Sequence, residues 1–275
     1  MESKITPDKR LFALDGRVAV VTGALGLLGR QHCVALAGAG AQVVVADLDP
    51  ERCQALASRL PGRALGVEMD VSDRQSVMEA VDTVLGEFGQ VDVLINNAAV
   101  NDRFEAPDIA GEPSRFEHYP LSMWKLSLAV NVTGVFLCSQ AFGTPMASRG
   151  KGSIVNIAST YGMVGPDQSI YRPPAGDQCY FKSPAYATSK GAVIAFTRYL
   201  AAYWGDSGVR VNCLTPGGVR NGQEPFFVEK YAARTPLGRM ASPEDYRGAI
   251  IFLASDASSY MTGANLVVDG GWTAW

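Results

Sequence analysis

A tyrosine and a lysine stand four residues apart in the stretch AYATSK, residues 185–190. Residues at this spacing share one face of a helix, so Tyr186 and Lys190 would lie together. A phenol beside an ammonium group can hold and release a proton, which is the chemistry of a general acid or base. Taken alone, the pair is more commonly two solvated neighbours on a helix surface. Whether the pair is catalytic depends on the strands and helices that position it.

Short apolar segments alternate with helical patterns along the chain. The segments are nearly continuous in apolar residues, as strands covered on both faces are. Helical spacing lies between them, as in GRQHCVALAGAG and SDRQSVMEAVDTVLGEF. Parallel strands need such crossovers, so the pattern predicts an α/β fold with a doubly wound sheet and helices on both faces. The predicted strands are RVAVVTG, AQVVVAD, GRALGVEMD, VDVLINNA, GSIVNIAS, VRVNCLTP and ANLVVDGG.

Length and composition indicate a single globular domain over residues 1–275. The chain is 47% hydrophobic and 19% charged, which is ample apolar material for one core. Three segments are long for connections in this architecture, near 100–120, 160–184 and 220–236. In open α/β sheets ligands bind at the carboxyl edge of the strands, so we expect these substrate-loop insertions to shape a pocket there.

Charge and apolar patterning exclude several classes of function. The net charge is -3 and the basic residues are scattered, so we expect no nucleic-acid partner. The N-terminal segment has no hydrophobic run typical of a signal peptide, which favours the cytoplasm. The charge-free run between Lys125 and Arg149 is interrupted by polar residues and Pro145, which favours a buried helix over a membrane span.

The cysteines and histidines carry no pattern of a metal or redox site. There are five cysteines with no Cys-x-x-Cys pair, so we interpret them as reduced thiols and four of them as core residues. They are Cys33, Cys53, Cys138, Cys179 and Cys213. We expect no metal, and we expect His32 to be packed on the first crossover helix.

A glycine-rich turn follows the first predicted strand. TGALGLLGR, residues 22–30, places glycines where backbone amides can approach a pyrophosphate at a helix N-terminus. Asp47 ends the second strand, where a carboxylate can accept hydrogen bonds from ribose hydroxyls and repel a 2′-phosphate. It could also be an ordinary turn residue. Leu48 follows where an NADP enzyme often has an arginine, so we favour NAD over NADP. Asp70 and Val71 could flank the adenine.

With these pieces in order, the chain resembles the short-chain dehydrogenase/reductase family over essentially its whole length. The resemblance implies a single-domain Rossmann fold with a seven-stranded parallel sheet, and a nicotinamide dinucleotide cofactor. It also implies hydride transfer between that cofactor and an alcohol or ketone. The matching motifs are TGALGLLG, MDV, NNAA, LAVNVTG, IVNIAS, YATSK, TPGGV and TGANLVVDGG.

The resemblance implies a catalytic tetrad of Asn131, Ser159, Tyr186 and Lys190. The free phenol has a pKa near 10, so we expect Lys190 and the oxidised nicotinamide to lower the pKa of Tyr186. Lys190 would also bind the nicotinamide ribose. Ser159 would hydrogen-bond the substrate oxygen, and Asn131 would fix a water that continues a proton relay.

The resemblance also implies a set of cofactor contacts. These are Gly23, Leu25, Gly26, Leu27, Leu28, Gly29, Asp47, Leu48, Asp70, Val71, Asn97, Ala98, Ala99, Tyr186, Lys190, Pro216, Gly217, Val219 and Asn221. The chain departs from the family pattern in three places. Its glycine spacing matches the larger extended members, Asn221 stands where a threonine is usual, and about twice the usual length separates Ser159 from Tyr186.

The long segments give the evidence from the sequence about the class of substrate. They resemble a bacterial subgroup linked to flagellin or surface-polysaccharide sugar modification, and their polar residues suit a sugar or polyol. Alternatives are a 3-oxoacyl thioester reductase and a noncatalytic dinucleotide sensor. Basic residues that could meet an acid or phosphate are Arg103, Arg115, Arg172, Lys182 and Arg220, although each taken singly is interpreted as a surface charge. Extra apolar faces on the helices of Asn131 and Tyr186 predict a homodimer or homotetramer.

Overall fold

All seven predicted strands form one parallel sheet in the computed structural model, which describes residues 10–101, 112–178 and 180–275. The strand order is β3-β2-β1-β4-β5-β6-β7. The direction of winding therefore reverses between β1 and β4, and a crevice opens there at the carboxyl edge. The strands are β1 Val18–Thr22, β2 Gln42–Asp47, β3 Ala64–Glu68, β4 Val93–Asn96, β5 Gly152–Ile157, β6 Val209–Pro216 and β7 Asn265–Val268.

Helices cover both faces of the sheet, and each face has its own apolar core. Along β1, Val18 and Val20 pack into one core while Ala19 and Val21 pack into the other. This alternation explains why the strand is apolar at every position. The helices are α1 Leu27–Gly38, α2 Pro50–Ala57, α3 Arg74–Phe88, α4 Leu121–Leu128, α5 Val135–Arg149, α6 Pro184–Trp204, α7 Pro225–Arg234 and α8 Arg247–Ala254. The segment 220–236, predicted as a loop insertion, thus contains α7.

The start of α6 places Tyr186 in its first turn. Pro184 occupies the first helical position, where its missing N–H is harmless. The Ser183 hydroxyl accepts a hydrogen bond from the Tyr186 backbone N–H at 3.2 Å. This cap sets the helix register and therefore the direction in which Tyr186 and Lys190 project.

The helical segment Leu121–Arg149 joins α4 and α5 through a π-helical turn, Ala129–Gly134. Among the described residues it is the one helix that is long and apolar enough to cross a membrane, and 33% of its most apolar window is buried. Asn131 lies in the π turn and is buried. Such turns occur often at functional sites because they re-aim one side chain without ending the helix.

Four of the five cysteines are buried and free, as predicted: Cys33, Cys53, Cys138 and Cys213. Cys179 lies outside the described residues, as do Arg103 and most of the segment 100–120. His32 is fully buried in α1, also as predicted. Neither of its ring nitrogens has a hydrogen-bond partner among the described residues.

Candidate active site

A cleft of about 900 Å³ runs along the carboxyl edge of the sheet and crosses the reversal point between β1 and β4. Its lining includes every cofactor contact predicted from the sequence except Gly29. Ser159, Tyr186 and Lys190 line the same cleft. The tertiary structure thus brings the predicted cofactor and catalytic residues to one continuous site.

The glycine turn leaves the N-terminus of α1 open to an anion. Gly26 is the N-cap of α1 and provides no side-chain hydrogen bond. In contrast, α2 and α3 begin with Asp49 and Asp73, whose side chains accept backbone hydrogen bonds. The first amides of α1 are therefore left for a ligand, and the helix dipole favours a negative one. This arrangement fits a dinucleotide pyrophosphate.

Two glycines of the turn are required by close packing. A Cβ on Gly23 would lie 2.6 Å from Ala98 Cα, and the backbone φ of Gly23 is +60°. Gly29 is buried behind the turn, where a Cβ would lie 2.2 Å from the Gly23 carbonyl oxygen. Gly29 lets α1 pack against the turn, and unlike the other predicted cofactor residues it does not line the cleft.

Asp47 connects the turn to the end of β2. One carboxylate oxygen accepts a hydrogen bond from the Leu25 amide at 2.8 Å, and the other accepts from the Leu48 amide at 2.8 Å. The carboxylate lines the part of the cleft next to the carboxyl ends of β2 and β3, and Asp70 lines the same part. A negative group here fits the ribose of a dinucleotide.

Asn97 supports the turn from β4. Its side-chain nitrogen donates to the carbonyl oxygens of Thr22 and Gly23, at 3.0 and 2.9 Å. Its own backbone N–H donates to the Thr22 hydroxyl at 3.0 Å. Part of the cleft floor is therefore held in shape by an internal hydrogen-bond network.

Ser159, Tyr186 and Lys190 meet at the carboxyl ends of β5 and β6. The Ser159 side chain hydrogen-bonds Tyr186. The Lys190 ammonium donates to the Ile157 carbonyl oxygen at 2.8 Å and lies 5.7 Å from the Tyr186 ring centroid. The phenol thus has a hydroxyl partner on one side and a cation one helical turn away, as the spacing predicted.

Burial dominates the ionisation of this group of residues. It raises the pKa of Tyr186 above its ordinary value, and the hydrogen bond from Ser159 offsets part of that shift. Burial also lowers the pKa of Lys190 to about 8. The net direction is upward because the cost of desolvating a phenolate is the largest effect on this group, and the combined effect of Lys190 and an oxidised nicotinamide on the pKa of Tyr186 stays a prediction. The phenol is therefore protonated at neutral pH.

Asn131 lies behind the cleft and is hydrogen-bonded to two neighbouring residues. Its side-chain oxygen accepts from the Val100 amide at 2.8 Å, and its nitrogen donates to the Val100 carbonyl oxygen and to the Ser189 hydroxyl, at 3.0 and 3.1 Å. The Ser189 hydroxyl donates to the Tyr186 carbonyl oxygen at 2.8 Å. These bonds tie the π turn and the strand-end loop to the catalytic helix, and the predicted role in holding a water stays a prediction.

The insertion between Ser159 and Tyr186 builds an aromatic wall over the catalytic end. The hydroxyls of Tyr161 and Tyr171 lie 3.1 Å apart. The Tyr171 ring packs on Tyr180 and Phe227, with ring centroids 5.3 and 5.1 Å apart. All four residues line the cleft. The wall therefore combines phenolic hydroxyls with apolar ring faces, which is more aromatic than the polar loop predicted from composition.

Lys182 is the residue for which the sequence interpretation was wrong. Taken singly it was interpreted as a surface charge, yet it is 8% exposed and lines the cleft. Its ammonium donates to the Asn101 side-chain oxygen and lies 4.5 Å from the Tyr186 ring centroid. One signal was available, because Lys182 precedes Tyr186 by four residues just as Lys190 follows it by four.

Comparison with known proteins agrees with this geometry. The family model described as short chain dehydrogenase matches residues 17–172, and a model described as Enoyl-(Acyl carrier protein) reductase matches residues 175–273. The chain is 37% identical to D-threitol dehydrogenase of Mycolicibacterium smegmatis, with 95% of each protein covered. It is 37% identical to galactitol 2-dehydrogenase (L-tagatose-forming) of Cereibacter sphaeroides, with 97% of this chain and 99% of the relative covered.

A solved structure is similar over nearly the whole fold. It is a gluconate 5-dehydrogenase from Burkholderia cenocepacia in complex with NADP and tartrate, with a TM-score of 0.82 and 32% identity, covering 97% of this chain and 98% of that one. With the cleft, the glycine turn and the Ser159, Tyr186 and Lys190 arrangement in place, the chain belongs to the short-chain dehydrogenase family and is a nicotinamide-dependent oxidoreductase that acts on alcohol groups.

Proposed function

We propose that the enzyme transfers a hydride between NAD and a secondary alcohol or ketone of a sugar or polyol. The observation that carries this proposal is the position of the Tyr186 phenol in the cleft, hydrogen-bonded by Ser159 and one helical turn from Lys190. The similarity to enzymes named for threitol and galactitol supports a polyhydroxylated substrate.

The residues have separate tasks in the reaction. In the oxidation direction, the hydroxyl proton of the substrate passes to the Tyr186 oxygen and the carbinol hydrogen leaves with its electron pair, so a carbonyl forms. When bound, the nicotinamide supplies the acceptor for that hydride. Ser159 hydrogen-bonds the same substrate oxygen, and Lys190 keeps a positive charge beside the phenol. Oxidation needs the phenolate, so we expect its rate to rise with pH, whereas the neutral phenol is ready to protonate a ketone.

We infer that NAD is preferred over NADP. The Asp47 carboxylate ends β2 in the cleft, where it would accept hydrogen bonds from ribose hydroxyls and repel a 2′-phosphate. Leu48 beside it is exposed and offers no positive charge. The gluconate dehydrogenase structure carries NADP, so an assay must include both dinucleotides. We also propose the cytoplasm as the compartment of the enzyme.

Two other substrate classes are considered beside the free polyol. The predicted relation to flagellin or surface-polysaccharide modification would make the substrate an activated sugar. The alternative is a 3-oxoacyl thioester reductase; the model that matches residues 175–273 is described as Enoyl-(Acyl carrier protein) reductase, which relates this part of the chain to enzymes of carrier-bound thioesters but not to ketone reduction in particular. We place the free polyol first because the relatives matched over 95% or more of this chain include two enzymes named for free polyols.

We also propose that the enzyme is a homo-oligomer. The outer face of α6 carries an aromatic row, in which Phe196 stacks with Tyr199 and Tyr199 with Tyr203, at centroid distances of 6.4 and 6.0 Å. Tyr199 and Tyr203 are 61% and 62% exposed. A second copy packed on this row would bury it, and would also cover the apolar helix Leu121–Arg149 that packs beside α6.

The proposal is tested by nicotinamide absorbance during incubation with sugars, sugar phosphates and polyols, each with NAD and NADP. Acetoacetyl thioesters with the reduced cofactors run in parallel. Turnover of a polyol or sugar with NAD is the expected result. Turnover of the thioester alone would refute the polyol assignment, and silence throughout with intact NADH binding would favour the noncatalytic sensor.

Tyr186→Phe tests the catalytic assignment. Removing the hydroxyl deletes the proton acceptor, so we expect kcat/KM to fall roughly 100- to 10,000-fold while NADH affinity stays within a few-fold. Tyr260→Phe is the matched control, since Tyr260 is fully exposed. A Tyr186→Phe enzyme with an undiminished rate would contradict the assignment.

A further inference from the structure

The loop that follows β6 is held by hydrogen bonds to several other parts of the chain. The Gly217 N–H donates to the Val268 carbonyl oxygen at 3.0 Å. The Gly218 N–H donates to the Tyr231 hydroxyl at 2.5 Å, and the Gly218 carbonyl oxygen accepts from the Ala241 N–H at 2.9 Å. The position of the loop therefore depends on β7, on the segment after α7 and, through the side chain of Tyr231, on α7 itself.

Tyr231 also accounts for the glycine at position 218. A Cβ on Gly218 would lie 2.6 Å from two carbon atoms of the Tyr231 ring, Cε2 and Cζ. Tyr231 is 3% exposed and is the one buried residue of α7. Ring and loop are therefore in direct contact, and neither can move far without displacing the other.

The Tyr231 ring is itself fixed by aromatic neighbours. It stacks on Trp272, with the ring centroids 4.1 Å apart and the planes at 13°, and it packs on Phe227 at 6.0 Å. Phe227 belongs to the aromatic wall over the catalytic end. Burial raises the pKa of Tyr231, so its hydroxyl stays protonated. Tyr231 thus joins the loop after β6 to the wall through a neutral, rigid side chain.

The loop lies at the catalytic end of the cleft. A dinucleotide whose adenosine ribose meets Asp47 and whose pyrophosphate meets the N-terminus of α1 extends past β4 towards β5 and β6. There the cleft is lined by Tyr186 and Lys190 on one side and by Gly218 and Val219 on the other. The loop is therefore the backbone that the nicotinamide end of the cofactor would meet beside Tyr186.

One amide of this loop is left for a ligand. Val219 lines the cleft, and its N–H donates to no other residue in the part of the chain that the structure describes. Its carbonyl oxygen accepts from the Gln223 side-chain nitrogen at 2.9 Å. The amide oxygen of a nicotinamide can accept a hydrogen bond from such a group. Because Gly218 precedes Val219, a displacement of Gly218 would move this donor.

We propose that Tyr231 is a positioning residue for the nicotinamide: its hydroxyl and ring fix Gly218, and through Gly218 they set the Val219 amide for the carboxamide. A loop held in its binding position beforehand loses less conformational freedom when the cofactor binds. This gain concerns only the nicotinamide half of the dinucleotide. The inference rests on nicotinamide binding and not on the class of alcohol, so it is independent of the polyol assignment.

Tyr231→Phe tests the role of the hydroxyl, since it keeps the ring that stacks on Trp272 and removes the oxygen that Gly218 contacts. Isothermal titration calorimetry compares NADH with ADP-ribose, which lacks the nicotinamide. We expect NADH affinity to fall about 3- to 10-fold, the range of one neutral hydrogen bond, and ADP-ribose affinity to change less than about 2-fold. NADPH and 2′-phospho-ADP-ribose are compared in the same way, so the result does not depend on which dinucleotide is preferred. An equal fall for both ligands of a pair, or no fall for either, overturns the proposal.

Trp275→Phe is the control for a general loosening of α7. Trp275 is 82% exposed, and its ring N–H donates to the Arg234 carbonyl oxygen at the end of α7, at 3.2 Å. The variant therefore loses a hydrogen bond to the same helix away from the cleft. Its ratio of NADH to ADP-ribose affinity is expected to match that of the wild type. If this ratio falls as much as in Tyr231→Phe, the stability of α7 is the cause and the specific role of Tyr231 is refuted.

Gly218→Ala tests the same contact from the loop. Its Cβ would meet the Tyr231 ring, so it is expected to weaken NADH binding relative to ADP-ribose. Tyr231→Leu removes the ring, so adding Gly218→Ala to this variant should cause little further loss of NADH affinity. Additive losses would show that loop and ring act independently and would contradict the proposal. If Tyr231→Leu does not fold, the comparison of Tyr231→Phe with Trp275→Phe decides.

Discussion

Replacing His32 with leucine is expected to remove a large part of the acid sensitivity of the folded protein. His32 is fully buried in α1, and neither ring nitrogen has a hydrogen-bond partner among the described residues. Burial lowers the pKa of His32 from 6.5 to about 3. The unfolded chain therefore binds a proton below pH 6.5 that the folded protein does not accept until about pH 3. Stability contributed by the neutral imidazole is present above pH 6.5 and is lost as the pH falls toward 3.

The size of the effect follows from the two pKa values. Between pH 7 and pH 5 the wild type is expected to lose about 2 kcal/mol of unfolding free energy through this residue alone. His32→Leu keeps a similar volume and removes two unpaired nitrogen atoms, so at pH 7 it should be as stable as the wild type or more stable. Between pH 7 and pH 5 the variant should not lose the unfolding free energy that the wild type loses through His32.

Urea unfolding followed by circular dichroism at pH 7 and pH 5, at one protein concentration, measures the difference. His118→Gln is the control, since His118 is the other histidine in the chain and is exposed. It should show the same fall in stability as the wild type. If His32→Leu also loses as much stability between pH 7 and pH 5 as the wild type, the buried neutral imidazole is not the cause and the reasoning is refuted.

Two further outcomes are expected. Gly29→Ala should lower unfolding free energy by about 1 to 3 kcal/mol and weaken NADH binding, because its Cβ would meet the Gly23 carbonyl oxygen at 2.2 Å. Gly86→Ala is the control, because Gly86 lies on α3 with open space around it, and this change should stabilise the protein by about 0.5 to 1 kcal/mol. Thermal unfolding measures both variants. If Gly29→Ala and Gly86→Ala change the stability equally, the packing argument is contradicted. Light scattering at micromolar concentration should give a dimer or tetramer, and Tyr199→Asp should reduce the measured mass; a monomeric wild type would rule out the proposed interface.

Much of the fold and part of the site could be predicted from the sequence because those features are local. The residues of β1 are apolar at every position since both sheet faces are covered, and this signal needs no knowledge of neighbours. The glycine turn and the helical spacing of Tyr186 and Lys190 are likewise set within a few residues. Helix α7 was missed because the segment 220–236 was interpreted only as an insertion, and its short helix is stabilised by packing on the aromatic wall.

The ionisation of the site could not be predicted in the same way. Spacing showed that Lys190 would lie near Tyr186, and an increase in acidity of the phenol was expected from that. In the structure, burial raises the pKa of Tyr186, and desolvation depends on every element that packs over the cleft.

By itself the sequence determined the strand and helix pattern, the glycine turn before α1 and the order of Ser159, Tyr186 and Lys190. Those features arise from periodicity and from residues within one turn of each other. Only the tertiary structure decided that Lys182 lies in the cleft, that Gly29 serves packing, and that Asn131 hydrogen-bonds Val100 and Ser189. These roles depend on contacts between distant segments, whose distances and burial are properties of the folded chain as a whole.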